Sequence, residues 1–204
     1  MKKSGCLIAG LVVLGLVVIF GLYLVGVYNG LVGAEQTVES QWANVQNVYQ
    51  RRADLIPNLV ATVKGAANFE QSTLTQVIEA RSRVGQITPQ ATAEILNDPQ
   101  KFAQFQQAQD SLSSALSRLM VVVERYPELR AVQAFRDLQV QIEGTENRIA
   151  VERRDFNLAA QDYNTRIKRF PAALFARMMG FQPKAYFQAQ AGAETAPKVD
   201  FGGR

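Results

Sequence analysis

Apolar side chains recur at alternating steps of four and three residues between positions 38 and 84, and no other feature constrains the fold as strongly. This spacing puts them on one stripe of an α-helix, because 3.6 residues complete each turn. A helix from about 31 to 84, roughly 80 Å long, is therefore predicted, with Gly85 as its end. Its seam positions are Val38, Trp42, Val45, Tyr49, Arg52, Ile56, Leu59, Val63, Ala66, Glu70, Thr73, Val77, Ala80 and Val84.

Two later segments repeat this seam, so the sequence predicts an all-α protein with an antiparallel bundle of long, coiled-coil-like helices. One begins at Asp98, an N-cap residue that is followed by Pro99 at the first helical position, and Pro127 ends or bends it. The other runs from about 127 to 170 and is closed by Pro171. No run with a period of two is bounded by hairpin turns. The two seams are Phe102, Phe105, Gln109, Leu112, Leu116, Leu119, Val123 and Tyr126, and Phe135, Ile142, Glu146, Ile149, Arg153, Phe156, Ala160, Tyr163, Ile167 and Phe170.

Shorter elements complete the predicted body. Residues 88–97 are expected to form a short extra helix, and residues 174–179 another, which ends at Gly180 as its C-cap. The final residues are rich in glycine, alanine and proline, which is typical of an extended tail. The predicted organisation is a short N-terminal segment 1–6, a transmembrane anchor 7–27, a helical bundle 28–188 and an extended tail 189–204.

An uncharged, strongly apolar run occupies residues 7–27. Its length is close to the roughly 20 residues that a helix needs to cross a bilayer. A cleaved signal peptide would have a shorter apolar core that is followed by a small-x-small cleavage site, and the sequence has neither feature. The run is therefore predicted to be a single, uncleaved membrane-spanning anchor.

The charges that flank this run predict its orientation. Lys2 and Lys3 precede it, whereas the first charges after it are Glu35 and Glu39, and the next cation is Arg51. Because cytoplasmic flanks carry an excess of lysine and arginine, the N-terminus is predicted to lie in the cytoplasm and the helical body outside it. The expected location is the inner membrane of a bacterial cell, which the chain crosses once.

The composition removes much of the usual catalytic and metal-binding chemistry. The chain contains no histidine and one cysteine, Cys6, so the commonest general base and the usual zinc ligands are missing. A di-metal site in a helical bundle needs Glu-x-x-His pairs, which the sequence cannot supply. Its 22 basic and 18 acidic residues are interspersed, so the net charge of +4 indicates a solvated surface. We expect no enzymatic activity, no cofactor, no small-molecule substrate and no nucleic-acid partner.

Four charged residues interrupt the apolar seams, Arg52 and Glu70 in the first and Glu146 and Arg153 in the third. A buried unpaired charge costs several kcal/mol, so each should have a partner or reach water. In an up-down-up arrangement the first and third helices run parallel, which would pair Arg52 or Arg51 with Glu146. The same register would pair Glu70 with Arg153. Polar groups at seam positions fix register and partner choice, so these pairs are predicted to be structural.

Pro57 lies inside the first predicted helix, where it removes one backbone hydrogen bond and clashes with the carbonyl of Ala53, at a cost of about 3 kcal/mol. One hypothesis is a kink that bends the helix around its neighbours, with arginine side chains satisfying the freed carbonyls and a charged pair locking the bend. The other hypothesis is a true break between two stacked helices, with Asp54 as the N-cap of the second.

Several motifs follow one another in a fixed order along the chain. They are YNGLV, Trp42, QRRADLIPNLVATVKG, ERYPELRA, TENRIAVERRDFN, DYN followed by RFP, GFQPKAYF and PKVDF. From the anchor to the tail this set resembles the LemA family. The resemblance implies an N-terminal membrane helix and an antiparallel bundle of long helices, with no enzymatic activity established for the family as a whole. Some relatives are tied to membrane shaping in specialised organelles, and others are associated with membrane proteases or stress responses.

Asparagine is unfavourable in a helix unless its amide is used, so Asn147, Asn157 and Asn164 are expected to bond across helices or to a partner. Together these features predict a membrane-anchored scaffold or interaction protein of the bacterial envelope, which forms a homo-oligomer or binds a membrane protein. The alternatives are an adaptor subunit for a membrane protease or stress sensor, and a membrane-shaping oligomer. The residues expected to carry structural or interaction roles are Arg51, Arg52, Asp54, Pro57, Asn58, Glu70, Glu146, Asn147, Arg153, Asn157, Tyr163 and Asn164.

Overall fold

The computed structural model describes residues 2–65, 69–87 and 93–189. Every regular element within these ranges is a helix, which confirms the predicted all-α class. After the last helix the chain continues through residues 181–189 without regular structure and lies along the bundle, and we call these residues the docked segment. The helices are α1 (Lys2–Lys64), α2 (Gln71–Ile87), a 3₁₀ helix (Ala93–Asn97), α3 (Pro99–Val123), α4 (Pro127–Ala131), α5 (Gln133–Lys168) and α6 (Ala172–Phe175).

The single helix predicted from 31 to 84 is in fact two helices, so that prediction is wrong. Helix α1 ends at Lys64, where the amide of Gly65 donates to the carbonyl of Thr62 at 3.3 Å, and α2 begins at Gln71. The seam continues with the same spacing on both sides of the turn, so periodicity alone cannot detect the reversal. The turn adds one change of direction to everything that follows it in the chain.

Helices α1 and α5 consequently run antiparallel, and not parallel as the up-down-up arrangement predicted. Arg52 of α1 contacts Glu146 of α5, whereas Trp42, nearer the start of α1, contacts Phe156, further along α5. This pair of helices forms the longest interface of the bundle. A residue near the end of α1 or in the following turn therefore lies far from Arg153.

Helices α2 and α3 fill the other two positions of an up-down-up-down bundle. Gln76 of α2 contacts Arg118 of α3, and Glu70 just before α2 contacts Arg125 just after α3, so these helices are antiparallel. The 3₁₀ helix leads from the end of α2 into α3. Helix α3 therefore runs in the same direction as α1.

Several predicted boundaries shift by a few residues. Helix α2 continues past Gly85, and the third predicted helix is interrupted at Val132, whose extended backbone separates α4 from α5. Helix α5 ends at Lys168, before Pro171, and the short helix expected at 174–179 is observed as Ala172–Phe175. Of the helix predicted at 88–97, the first five residues lie outside the described ranges and the rest are the 3₁₀ helix. The tail prediction for 189–204 also lies outside them, apart from residue 189.

The N-cap predicted at Asp98 forms, whereas the C-cap predicted at Gly180 does not, because α6 ends at Phe175 with Ala176 as its C-cap and Gly180 ends the turn that follows. Asp98 precedes α3 with extended backbone, and its Oδ1 accepts from the amides of Gln100 and Lys101 at 3.0 and 3.1 Å. These bonds satisfy amides that the first helical turn leaves without partners. Gly180 has a φ of +89°, and the amide of Phe181 after it donates back to Ala176 at 3.0 Å. That left-handed conformation favours glycine, because it has no Cβ.

The seam residues form two apolar clusters, one at each end of the bundle. The proximal cluster, which includes Trp42, lies towards the apolar part of α1 and contains the start of α3, the second half of α5 and the docked segment. The distal cluster contains the end of α1, all of α2 and the second half of α3. Among the described seam positions, Glu70 and Phe170 are exposed, and Tyr126, Glu146 and Arg153 are half-buried, while the others are buried as predicted. Ala66 lies outside the described ranges.

Helix α1 continues through Pro57, so the hypothesis of a break with Asp54 as an N-cap is wrong. The Nε of Arg81, on α2, donates to the carbonyl of Ala53 at 3.3 Å. That carbonyl is the one that Pro57 deprives of its helical donor. An arginine from a neighbouring helix therefore satisfies the freed carbonyl, as the kink hypothesis proposed.

Candidate functional site

Arg52 is the centre of the first polar group in the bundle, and its side chain is fully buried. Its guanidinium donates to Glu146 Oε1 at 2.8 Å and to Ser113 Oγ at 2.6 Å. It also donates to the main-chain and side-chain oxygens of Gln109. Ser113 in turn donates to Glu146 Oε2 at 3.0 Å, so one network joins α1, α3 and α5. The predicted partner of Glu146 is thus Arg52, and not Arg51.

This network lies between the two apolar clusters and divides them. Tyr49 of the proximal cluster lies about one turn before Arg52 on α1, and Ile56 of the distal cluster lies about one turn after it. A one-turn slip of α1 would place the guanidinium among aliphatic and aromatic side chains. Because an unpaired buried charge is costly, the network permits one register of the three helices and penalises the others.

Arg153 forms a second polar group about two turns from Glu146 on α5. Its guanidinium donates to Tyr49 Oη at 2.5 Å and to Asp110 Oδ1 at 2.8 Å, and it lies over the ring of Phe187, 4.9 Å from the centroid. Burial raises the pKa of Tyr49 to about 12, although Arg153 and Arg52 oppose this shift. Burial lowers the pKa of Arg153, but its interactions with Tyr49 and Asp110 outweigh this and the net shift is upward. The phenol is therefore neutral, and the cation is permanent, near neutral pH.

Lys184 of the docked segment forms the third polar group, near the proximal end of the bundle. Its side chain is almost fully buried, and its Nζ donates to Glu35 Oε1 at 2.6 Å and to Asn97 Oδ1 at 2.8 Å. The ammonium also lies over the ring of Tyr163, 5.4 Å from the centroid. Burial, followed by the negative charge of Glu35, raises the pKa of Tyr163 well above its usual value. One lysine thus connects α1, the 3₁₀ helix and α5.

Three side-chain amides hold the backbone of the docked segment. Asn164 donates to the carbonyl of Lys184 and accepts from its amide, both at 2.8 Å. Asn157 does the same with Phe187, both at 2.9 Å. Gln106 of α3 makes the equivalent pair with Gln188, at 2.8 and 3.1 Å. Two of the three asparagines predicted to bond across helices or to a partner, Asn157 and Asn164, therefore bond to this segment, whereas Asn147 is exposed.

The amide pairs reproduce the donor and acceptor pattern of a peptide backbone. A carboxamide offers one oxygen acceptor and a nitrogen with two donors, which match the N–H and C=O of one residue of the segment. The amide of Ala185 also donates to the carbonyl of Leu96 at 3.0 Å. The segment is thereby held on both sides, by α5 and by α3 with the 3₁₀ helix. Phe187 fills the space between, against Trp42 and Phe156.

The three polar groups share one design, in which a cation is paired with a carboxylate inside the bundle. The carboxylates are Glu146, Asp110 and Glu35, and each accepts from its cation at 2.6–2.8 Å. Among the side chains described, those of residues 10–65, 69–87 and 95–189, no three acidic, histidine or cysteine groups come together in an arrangement that could hold a metal ion. A cleft of about 740 Å³ is open to solvent between α3 and the docked segment. Each of the three groups joins helices of the bundle, or a helix and the docked segment, through these contacts.

Glu70 does not pair with Arg153, so that prediction is wrong. Its Oε2 accepts from Arg125 at 3.0 Å, and both side chains are exposed. A hydrogen bond from Ser72, together with the charge of Arg125, holds the pKa of Glu70 below its usual value. The reason for the error is the turn after α1, which places Glu70 at the distal end of the bundle.

The other predicted residues lie on the surface. Arg51, Asn58 and Asn147 are exposed, and Asp54 is exposed and accepts from Gln50 Nε2 at 2.8 Å. The structure brings none of these four to the polar groups. Of the predicted residues, it gathers Arg52 and Glu146, Arg153, and Asn157, Asn164 and Tyr163.

Sequence reasoning missed the partners that complete the three groups. Asp110 and Ser113 lie beside the seam of α3 and look like ordinary surface positions in the sequence. Lys184 had a usable signal, because it is an isolated cation within the aromatic motif GFQPKAYF. The unusual helical asparagines were a second signal, since their amides required partners, but the sequence alone does not show that the partner is the end of the chain.

The chain matches known proteins over most of its length. A family model described as "LemA family" matches residues 41–201. The chain is 29% identical over 182 residues to magnetosome protein MamQ 2 of Paramagnetospirillum magneticum, an alignment that covers 82% of this chain and 67% of the relative. It is 27% identical to magnetosome protein MamQ of Magnetospirillum gryphiswaldense with the same coverage. It is 25% identical over 171 residues to protein LemA of Metamycoplasma hominis, covering 84% and 73% of the two chains.

Proposed function

Because this chain belongs to the LemA family, we propose that it is a membrane-anchored helical scaffold of the bacterial envelope, which works by contact with other proteins. The observation that carries the proposal is the continuity of α1. One helix of 63 residues contains both the apolar run and the first helix of the bundle, with no linker between them. A continuous helix transmits position and orientation, so the bundle would stand at a fixed height and angle to the bilayer.

The two parts of α1 have opposite surfaces. Most large apolar side chains between positions 11 and 28 are about half exposed or more, the exceptions being Leu24 and Val27, whereas Leu31 is buried, as is the seam that follows it. Exposed apolar area of that extent is unfavourable in water and favourable in lipid. We place the membrane crossing at the apolar run and the bundle outside the bilayer. Alkaline carbonate extraction of cell membranes should leave the full chain in the pellet and release a variant that lacks residues 7–27.

The proposed orientation, with the N-terminus in the cytoplasm, rests on Lys2 and Lys3. Further cations, Lys168, Arg169 and Arg177, flank α6, whose Phe175 contacts Phe20 of the apolar run. These residues are remote from the apolar run in sequence, however, and the rule that cytoplasmic flanks carry an excess of lysine and arginine counts only charges within about 15–20 residues of the span. Protease added to intact spheroplasts should cleave the bundle in this orientation, and protection of the bundle would reverse it.

The outward face of α5 supports self-association. Val140, Val151 and Leu158 are between 44% and 68% exposed, and Gly144 and Asn147 lie between them on the same stripe. Steps of four and three residues connect these positions, with the exposed Arg154 at the step between Val151 and Leu158, as in the buried seam of the same helix. A second helix that packs on this stripe would bury apolar side chains that the bundle leaves in water.

Gly144 is a further argument for a contact at this stripe. A Cβ added there would meet no atom within 4 Å, so packing inside the bundle does not require glycine. Glycine in the middle of an exposed helix costs about 1 kcal/mol relative to alanine. At a helix–helix contact the same residue lets two backbones approach closely, which would offset that cost.

A second copy of the chain fits the charges beside the stripe. Two copies anchored in one membrane would present their α5 helices in parallel. Glu143 and Arg148 flank the stripe five residues apart, the spacing at which charged residues pair between parallel helices. Glu143 of each copy would then contact Arg148 of the other. We propose a parallel homodimer through this face.

Photo-crosslinking from the stripe tests the scaffold. A photoreactive residue at Leu158 in the full chain, expressed in cells, should give a product with twice the mass of the chain. The same residue at Thr75, exposed on α2, should give none. A defined second protein captured from Leu158 in place of the dimer would favour the adaptor alternative. Equal yields from both positions, or none, would contradict the proposal.

A glycine substitution separates dimerisation from folding. Gly144→Ala should raise the free energy of unfolding of the isolated chain by up to about 1 kcal/mol. It should at the same time lower the yield of the crosslinked dimer from Leu158. A stabilised chain with an unchanged yield would remove Gly144 from the contact.

A membrane-shaping oligomer is the second candidate, and the alignment with magnetosome proteins favours it. The scaffold and shaping roles differ in their effect on lipid. Full chain reconstituted at high density into large vesicles should deform them if it shapes membranes. Spherical, unchanged vesicles in electron micrographs would contradict the membrane-shaping role and leave the scaffold role as the remaining candidate.

A further inference from the structure

The proximal end of the bundle carries an exposed patch that combines large apolar and basic side chains. Phe170, Leu174 and Met178 are 76%, 60% and 85% exposed. We call this set the basal patch, together with the exposed cations Lys168, Arg169 and Arg177 that flank it. Residues 163–193 contain no acidic side chain, so nothing in this stretch neutralises the cations. Fully exposed apolar side chains of this size, grouped together, are unusual on a surface that faces water.

The patch is held against the apolar part of α1. The ring of Phe175, within α6, packs edge-on against the ring of Phe20, with centroids 6.2 Å apart. The ring of Phe181 packs against Tyr28 at 5.7 Å. Ala176 is buried in the proximal cluster, so one face of this region contacts the bundle while Leu174 and Met178 point away from it. The height of the patch along α1 is therefore fixed.

That height lies within the proposed membrane span. If the span is residues 7–27, Phe20 is about 10 Å inside its outer end at 1.5 Å per residue. The span can move towards the N-terminus only as far as Ser4, because Lys3 is charged. About 20 residues counted from Ser4 end at Tyr23, which is still beyond Phe20. A tilted helix needs more residues to cross and would end further along the chain, so every placement brings Phe175 to the bilayer.

We infer that the basal patch is a second membrane contact, which inserts into the interface of the leaflet on the bundle side. This inference rests on the proposed anchoring by α1. Phe170, Leu174 and Met178 occupy the boundary between headgroups and acyl chains, as apolar side chains of interfacial elements do. The flanking cations lie at the level of the lipid phosphates, and their long side chains can reach that level from below.

The two contacts together have a mechanical consequence. A single helix is free to rotate and tilt in a bilayer, whereas a helix with a second fixed contact beside it is not. The basal patch would therefore orient the bundle, and the stripe on α5 with it, relative to the membrane plane. Two chains in one membrane would then meet with their stripes at the same height.

Spin labels on the full chain test the depth of the patch. Single cysteines are introduced in a Cys6→Ser background at Met178, at Val17 within the span, and at Val121, which is 71% exposed at the distal end. One chain per nanodisc, in an equimolar mixture of phosphatidylcholine and phosphatidylglycerol, excludes contact with a second copy. The measured quantity is the ratio of collisions with oxygen, which concentrates in lipid, to collisions with a water-soluble nickel complex.

The expected ratio is highest at Val17, lowest at Val121 and intermediate at Met178, with Leu174→Cys as a second position that should match Met178. A water-like ratio at both patch positions, with a lipid-like ratio at Val17, would overturn the inference and leave the anchor intact. A water-like ratio at Val17 would refute the anchor, and the patch proposal would fall with it. Because Met178 and Leu174 point away from the bundle, neither label should disturb folding.

Discussion

The network around Arg52 gives the most demanding prediction, which concerns the coupling between Arg52 and Glu146. Arg52→Ala removes a fully buried cation and leaves the oxygens of Gln109 and Glu146 without their donor. Breaking a buried pair by removing one partner costs about 3–5 kcal/mol. Truncation of Glu146 leaves the buried cation without its carboxylate, but Ser113 and Gln109 still accept from Arg52, so this loss should cost about 2–3 kcal/mol.

The double variant should cost little more than Arg52→Ala alone, because the buried charge that made the loss of Glu146 expensive is already gone. The expected coupling is therefore about 2 kcal/mol. The assay is urea unfolding of the full chain in detergent micelles, followed by the far-ultraviolet circular dichroism of the helices. In thermal unfolding each kcal/mol should lower the midpoint by about 2–4 °C for a chain of this size.

A matched cycle on the exposed pair of Arg125 and Glu70 is the control. Its N–O distance is 3.0 Å, similar to the 2.8 Å between Arg52 and Glu146, but both side chains are exposed. Water screens such a pair, so its coupling should be far smaller. Additive losses in the Arg52 cycle, or equal couplings in both cycles, would refute the argument that burial makes this network specify the register.

Three further predictions follow from other contacts. Asn164→Leu removes three hydrogen bonds to the docked segment, about 3 kcal/mol in total, so amide exchange of residues 184–188 should accelerate roughly 100-fold, whereas Asn147→Leu at an exposed position should change nothing. The pKa of Tyr49 is about 12 in the folded chain against its usual 10, so the stability that the neutral phenol contributes is fully present below pH 10 and is lost as the pH rises through 12. The free energy of unfolding should fall by roughly 2–3 kcal/mol over this range. An equal fall in the free energy of unfolding of a Tyr49→Phe variant would contradict the assignment. Arg81→Ala should destabilise the chain by about 0.5–1.5 kcal/mol, because it removes the hydrogen bond to the carbonyl of Ala53. The loss should be much smaller in a Pro57→Ala background, where the new amide at position 57 donates to that carbonyl. Equal losses in both backgrounds would show that this bond is unimportant.

Local patterns predicted the elements of this fold well. The spacing of apolar residues identified the buried faces of α1, α2, α3 and α5, and Asp98 marked the start of α3. These features depend on residues a few positions apart, whose relative placement the helix geometry fixes. The apolar run at 7–27 is a signal of the same kind. It predicts a helix long enough for a membrane, and α1 includes it.

The directions of the helices were not predictable in this way. The reversal of direction between Lys64 and Gln71 leaves the seam spacing intact on both sides, so one continuous helix and two antiparallel helices give the same pattern. The choice between them reverses α5, and that reversal decides which charges meet. Arg52 and Glu146 pair in spite of the wrong assumption. Glu70 lies beyond the end of α1, at the distal end of the bundle, whereas Arg153 lies near the middle of α5, so the reversal separates these two residues.

The sequence by itself determined that the chain is helical, which faces are apolar and which charges need partners, because these properties are set within each helix. Only the tertiary structure decided that Asp110 neutralises Arg153, that Lys184 reaches Glu35, and that three amides bind the docked segment. Each of these contacts joins residues far apart in the chain. Their distances depend on the number of turns between them and on how the helices pack, and no short-range pattern encodes either.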